Sequence, residues 1–279
     1  MAVIGIIAQG AMGAGLGRRL AQRGATVLTC LAGRGTASAR RAEEAGMRDA
    51  ALAELAGADL FLSVLPPSEA RACAARLAPA LEAAPRKAVY VDCNAVNPET
   101  AEAVGAAVAP TGAAFVDGGI IGGPPRNDGY TPVLYVAGPD AERRAAVPLR
   151  AHGLDVRVVP GPIGAASALK MSYAGITKGL IALSSAMMLA AARAGAAEGL
   201  RAELARSQPE LLAWFGRMMP AMPDKAYRWV GEMEEIAGFT GSEGAAVYRA
   251  IAGFYEGMAK DNAGSREKAA ALSAFLRQG

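Results

Sequence analysis

Over the first 160 residues, short apolar runs alternate with longer stretches whose apolar positions recur every three to four residues. The runs are residues 2–8 (AVIGIIA), 26–31 (TVLTCL), 60–67 (LFLSVLPP), 88–94 (AVYVDCN), 113–123 (AAFVDGGIIGG), 132–138 (PVLYVAG) and 155–162 (DVRVVPGP). Runs this short and apolar, bounded by Gly and Pro, predict strands buried on both faces. Strands separated by helical patterns predict a mainly parallel sheet with helices on both sides. Beyond Pro162 the period stays helical to the end, with breaks near residues 195–199, 209, 219–223 and 238–241. The pattern therefore predicts an α/β domain over residues 1–162 and an all-α domain over residues 163–279. The latter opens with one long helix at 163–194. The most apolar part of that helix, residues 179–192 (GLIALSSAMMLAAA), is shorter than the roughly 20 residues a membrane helix needs and reads as buried between domains or subunits.

Composition narrows the partners. The 279 residues are 52% hydrophobic and 20% charged, with a net charge of +3 and no basic block, so a packed globular protein is expected and nucleic acid is not. Cys30, Cys73 and Cys93 lie far apart and give neither a disulfide framework nor a metal spacing. His152 is the single histidine, which removes most His-based metal sites and Ser-His-Asp chemistry. A strand pattern begins at once, without a basic segment leading into an apolar one. The expectation is a chain with no signal peptide, located in the cytoplasm and away from membranes.

The first strand runs into a glycine turn and a helix start: Ala8-x-Gly10-x-x-Gly13. This is the dinucleotide-binding spacing with alanine at its first position, where a tight turn matters more than positive φ. Gly10 lets the backbone approach a pyrophosphate and Gly13 lets the helix pack on the strand. The helix N-terminus, through Ala11 and Met12, offers free N–H groups to the anion. After the second strand, residues 29–41 (TCLAGRGTASARR) contain no acid to hold a ribose 2′-hydroxyl. Arg34, Thr36, Ser38 and Arg40 suit a 2′-phosphate instead, so NADP is expected over NAD.

With these blocks in place, the chain resembles the β-hydroxyacid dehydrogenase superfamily, the group of 3-hydroxyisobutyrate and 6-phosphogluconate dehydrogenases. The resemblance runs through the N-terminal domain and the long helix. IGIIAQGAMG is similar to the family's opening nucleotide block. SVLPP, with Leu65 and Pro66, is similar to its loop beside the nicotinamide. VDCNAVNPETA resembles its D-x-S-T-x-x-P segment, and FVDGGIIGG its D-A-P-V-S-G-G substrate loop. The segment GPIGAASALKMSYAGITKG resembles the G-x-x-G-x-x-x-x-x-K-x-x-x-N helix and puts Lys170 at the catalytic lysine. The C-terminal part is similar to a less characterised subgroup with its own helical domain.

What the resemblance implies is a Rossmann doubly wound sheet, a long interdomain helix, and a helical domain that joins two copies into a homodimer. Cofactor contacts fall at Gly10, Ala11, Met12, Gly13, Arg34, Leu65, Pro66 and Asn94. The substrate would meet Asn94, Ile121, Gly122, Gly123, Tyr173, Ala174 and Thr177. Lys170 would be the general acid/base while hydride passes between the nicotinamide and a C=O/CH–OH pair of a small polar metabolite. Three positions depart from the family: its carboxylate-holding serine is Ile121, its asparagine is Ala174 and its S-T pair is Asn94 and Ala95. Tyr173 and Thr177 share a helix face with Lys170 and are candidates to replace the lost asparagine. Lys178 lies off that face, a solvent or interface lysine, and Arg228, Trp229 and Glu232 are candidates from the helical domain. The departures leave two other readings open, imine reductase-like C=N reduction and a non-catalytic nucleotide-binding sensor or regulatory protein.

Overall fold

A computed structural model describes residues 1–126 and 128–277, so the last two residues of the expected helical domain, Gln278 and Gly279, lie outside the described residues. The chain divides into two compact units, Met1–Met171 and Ser172–Gly279.

The first unit runs β1 (Val3–Ile7), α1 (Ala11–Gln22), β2 (Thr26–Thr29), α2 (Thr36–Glu44), β3 (Arg48–Asp49), α3 (Leu52–Ala56), β4 (Leu60–Ser63), α4 (Ala70–Ala83), β5 (Val89–Asp92), α5 (Pro98–Val108), β6 (Phe115–Ile121), β7 (Val133–Ala137), α6 (Val147–Ala151) and β8 (Asp155–Val158). Among the described residues the eight strands form one sheet in the order β3-β2-β1-β4-β5-β6-β7-β8, in which only the β6–β7 pair is antiparallel. The order reverses between β1 and β4, the switch point at which doubly wound sheets open a crevice for ligands. The two-residue β3 is too short to leave a periodic signal and was not among the expected strands.

Alternation along the strands splits the core into two layers. Ile4, Ile6, Leu60, Leu62, Val91 and Val116 face one side, with Leu16 and Leu20 of α1. Ile7, Phe61, Tyr90 and Phe115 face the other, with Leu55, Leu77 and Val104 of α3, α4 and α5. Phe61, Tyr90 and Phe115 form an aromatic row, with ring centroids 5.0 and 5.8 Å apart. Glycine is required where the chain reverses: Gly24, after α1, has φ +85°.

Helix α7 (Ala165–Arg193) contains the boundary between the units. At 29 residues it far exceeds its apolar stretch. By length and composition alone it is long enough to cross a membrane, a test that core helices of globular proteins also pass; 44% of its most apolar window is buried. The helix is not fully covered: Tyr173, Ile176, Leu180, Leu183 and Met187 are exposed. At intervals of three and four residues they form one apolar stripe.

The second unit adds α8 (Ala197–Ser207), α9 (Pro209–Met218), α10 (Ala226–Phe239), α11 (Gly241–Ala263) and α12 (Glu267–Arg277). Its core holds Phe215, Met219, Met222, Met233, Ile236, Tyr255, Met258 and Phe275. Among its described residues there is no strand. The break after Ala263, which the periodicity passed over, falls where Arg266 takes a left-handed φ of 59°.

Candidate functional site

At the end of β1, the turn into α1 is shaped for an anion. A Cβ on Gly13 would collide with the carbonyl oxygen of Ala8, so only glycine permits this approach of helix to strand. A Cβ on Gly10 would meet nothing within 4 Å, leaving open space over the turn. Gly10 is the extended N-cap residue of α1, and neither a capping side chain nor an acid occupies the first turn. The N–H groups of Ala11, Met12 and Gly13 therefore have no intrahelical acceptor, and a pyrophosphate fits their geometry and their partial positive charge.

Gln9, which the glycine spacing passes over, braces this turn. It is buried, and its amide nitrogen donates to the Thr29 hydroxyl and, at 3.4 Å, to the Cys30 carbonyl at the end of β2. Arg41 Nε donates to the Gln9 carbonyl at 2.7 Å, tying α2 to the same turn.

Arg34, Thr36 and Arg40 are exposed on the loop after β2 and the start of α2, and Ser38 lies half-buried beneath them. Arg34 and Leu65, 31 residues apart in sequence, line one cavity of about 90 Å³ together with Glu69, Cys73 and Arg76. An acid also lies close by. Asp49 of β3 pairs in register with Thr29, and its carboxylate accepts the Leu31 N–H at 2.8 Å. It comes from another strand, so the residues after β2 give no hint of it.

Three polar residues cross the middle of the sheet in register: Ser63 of β4 beside Asp92 of β5, and Asp92 beside Asp117 of β6. All three are buried. Asn94 joins two of them. Its Nδ2 donates to Ser63 Oγ at 2.9 Å and to the Asp92 carboxylate, while its Oδ1 accepts the Leu65 N–H at 2.5 Å. Asn94 thus bonds Leu65, Ser63 and Asp92 inside the protein. Burial pushes the Asp92 carboxyl up to about 7. The hydrogen bonds from Asn94 oppose the rise and the Asp117 charge adds to it. Burial also raises Asp117, against hydrogen bonds from Ser167, Ala166 and Gly164.

Asp117 meets the start of α7. One carboxylate oxygen accepts N–H groups from Gly164 (2.9 Å), Ala166 (2.9 Å) and Ser167 (3.1 Å), and the other accepts the Ser167 hydroxyl at 2.6 Å. Two residues along the same face of β6, a Cβ on Gly119 would lie 2.9 Å from Lys170 Cβ and 3.0 Å from the Ala166 carbonyl oxygen. The bare strand lets α7 lie directly on it, which fixes the root of the Lys170 side chain. Lys170 itself is half-buried.

The expected substrate loop follows β6. Ile121 is half-buried; Gly122 and Gly123 are exposed, with φ +125° at Gly122. The Gly123 N–H is bonded to the Tyr130 hydroxyl at 3.1 Å, and the Arg126 guanidinium stands 4.6 Å over the Tyr130 ring.

In the second unit, Tyr173 is exposed, Ala174 is buried, and Thr177 turns its hydroxyl back to the Tyr173 carbonyl at 2.8 Å. Lys178, expected as a solvent or interface lysine, is held inside the second unit. Its ammonium pairs with Glu232 and stands 4.9 Å over the Trp229 ring, with 13% of the side chain exposed. Tyr255 donates to the Lys178 carbonyl at 2.6 Å and stacks edge-on against Trp229. Burial and then the Glu232 charge raise the Tyr255 phenol. Trp229 and Glu232 therefore serve this internal cluster, while Arg228 is exposed.

Comparison with known proteins gives this geometry a family. Residues 3–153 match the NAD binding domain of 6-phosphogluconate dehydrogenase, more than half of the chain. The chain belongs to the β-hydroxyacid dehydrogenase superfamily. It is an NAD(P)-dependent oxidoreductase of that superfamily. Residues 191–258 match a domain of unknown function (DUF1932), the helical part. A conserved protein of unknown function, described as structurally similar to 3-hydroxyacid dehydrogenases, matches at 26% identity with a TM-score of 0.72, over 96% of this chain and 99% of that one. The 3-hydroxyisobutyrate dehydrogenase of Mycobacterium tuberculosis, solved with L-serine, matches at 18% identity and a TM-score of 0.69 over the whole of both chains. An imine reductase from Myxococcus stipitatus, solved with NADP+, matches at 17% identity and a TM-score of 0.57, over 99% of this chain and all of that one. At such identities the last two show a shared fold. No curated protein sequence matches the chain.

Proposed function

We propose that the protein is an NADP-dependent β-hydroxyacid dehydrogenase-type enzyme, in which Lys170 exchanges the proton at the substrate oxygen. The observation that carries this reading is the seating of Lys170 on the glycine strand β6, in the same unit as the phosphate turn. Bound at that turn, a nicotinamide dinucleotide supplies or accepts the hydride. The residues of the chain do the rest. The N-terminus of α1 neutralises the pyrophosphate. Asn94 fixes Leu65 at the nicotinamide side. The Lys170 ammonium donates to the developing alkoxide in reduction, and its amine takes the proton back in oxidation. NADP is favoured because Arg34, Thr36, Ser38 and Arg40 gather donors on the loop after β2 and the start of α2.

The test is a panel of 2- and 3-oxo acids and cyclic imines, each with NADPH and with NADH, followed by nicotinamide absorbance. Turnover of an oxo acid with NADPH preferred is the expected result. Arg34→Ala should reduce that preference by about 10-fold, the loss of one charge-assisted phosphate contact. Reduction of imines alone moves the assignment to C=N chemistry. The reading that this favours has its own support, since Ile121 leaves the substrate loop without the carboxylate-holding hydroxyl. Binding of NADPH without turnover of any substrate favours a sensor.

We also propose a homodimer through the exposed stripe Tyr173, Ile176, Leu180, Leu183 and Met187, since an apolar seam of this spacing suits a second copy of the same helix. Sedimentation should give a dimer that Leu183→Glu converts to monomer; a wild-type monomer at micromolar concentration refutes it.

A further inference from the structure

We propose that Asp117 is a positioning residue for Lys170, acting through the first turn of α7. The inference rests on the reading of Lys170 as the acid/base. A helix N-terminus leaves N–H groups without acceptors, and one capping side chain satisfies one or two of them. Here a single buried carboxylate from a different strand takes four donors, the N–H groups of Gly164, Ala166 and Ser167 and the Ser167 hydroxyl. Those donors lie three to six residues before Lys170, so the bonded turn sets both the rotation and the axial position of the lysine. Gly119, on the same face of β6, supplies the floor on which Ala166 and Lys170 rest. Together the two β6 residues define where the helix sits: the acid pulls the turn down and the missing side chain lets it arrive.

The neighbouring residue extends the device. Asp92, in register with Asp117, holds Asn94, and Asn94 holds the Leu65 N–H. Adjacent acids on adjacent strands thus anchor the two elements assigned to the chemistry, the loop beside the nicotinamide and the helix of the lysine. The relative placement of these elements is built into the register of β5 and β6.

The experiment compares Asp117→Ala, Asp117→Asn and Ser167→Ala in the full-length protein. It reads kcat, NADPH dissociation constant and amide hydrogen exchange across residues 164–171. Asp117→Ala should lower kcat by about 10- to 100-fold, the cost of misplacing a catalytic group by about an ångström, with NADPH affinity within about twofold. Asp117→Asn should recover most of it, since the amide oxygen accepts the same N–H groups and its nitrogen donates to Ser167 Oγ. Ser167→Ala, which removes one donor and spares the fold, should lower kcat by about two- to fivefold; it decides the question if Asp117→Ala does not fold. Exchange at Gly164, Ala166 and Ser167 should speed up in the order Asn, then Ala. Unchanged exchange in Asp117→Ala, or faster exchange with unaltered kcat, overturns the proposal. A fall in kcat matched by equal loss of NADPH binding also overturns it, because it marks a general structural loss. Lys170→Ala separates the two ideas. Full activity of that variant refutes the acid/base reading, whereas the exchange data judge the clamp itself.

Discussion

Replacing Lys170 with alanine is expected to lower kcat about 10²- to 10⁴-fold, the usual contribution of a positioned general acid/base, with NADPH affinity within about threefold. The expectation follows from where the side chain is rooted. Its backbone lies on β6 with no side chain between, and the turn before it is held by the Asp117 carboxylate. Nothing in the phosphate turn depends on it, so binding and turnover should separate. Lys170→Arg should fail to restore activity, because a guanidinium stays protonated at every working pH and cannot accept a proton back. A lysine that merely lay along a helix surface would give an alanine variant with kcat within a few-fold of the parent, and that result would remove it from the mechanism.

The second large effect concerns stability. The Asp92 carboxyl, raised from an ordinary 3.8 to about 7, binds its proton more tightly in the folded chain than in the unfolded one. Below about pH 4 both states are protonated and the folded state carries no penalty. Between about pH 4 and pH 7 the unfolded chain is ionised while the folded chain keeps the proton, so stability falls across that window, by about 4 kcal/mol in all, and levels off above about 7 once the folded carboxyl ionises too. Asp117 acts in the same direction, since its carboxyl is also raised by burial. Asp92→Asn should abolish the greater part of this slope. Its amide oxygen can still accept from Asn94, although its nitrogen faces the side where the Asp92 Oδ2 has no partner, at a constant cost of about 1–3 kcal/mol. Urea unfolding at pH 5, 6, 7 and 8 measures both curves. Parallel curves for parent and variant would show that Asp92 is ionised throughout.

Much of this was legible in the residues because it was local. Every strand of the sheet but β3 announced itself as a short apolar run, and Gly13 and Gly10 fell at the spacing a phosphate turn requires. The lysine was found through the family motif that its segment resembles, and the bare β6 gives the small residues around it a reason: a helix can approach a strand this closely only where side chains are missing. What escaped had no local signature. Asp49 reaches the end of β2 from a two-residue strand. Gln9 looks like filler between two glycines until Thr29 is brought beside it. Lys178 reads in the sequence as a solvent or interface lysine without a named partner, because Glu232 and Trp229 lie more than fifty residues away. Asp117 stands 53 residues before the lysine it supports, and Asn94, which looks like a group for a ligand, is consumed by Ser63, Leu65 and Asp92.

The row Ser63, Asp92, Asp117 has a consequence for how such a chain can vary. Successive side chains on a strand point to opposite faces, about 3.3 Å apart. Inserting one residue upstream within β6 would swing the acid into the aliphatic layer with Val116 and leave the lysine helix without its acceptor; inserting two would restore the face but overshoot by more than a turn of helix rise. The interior of these strands is therefore closed to changes of length.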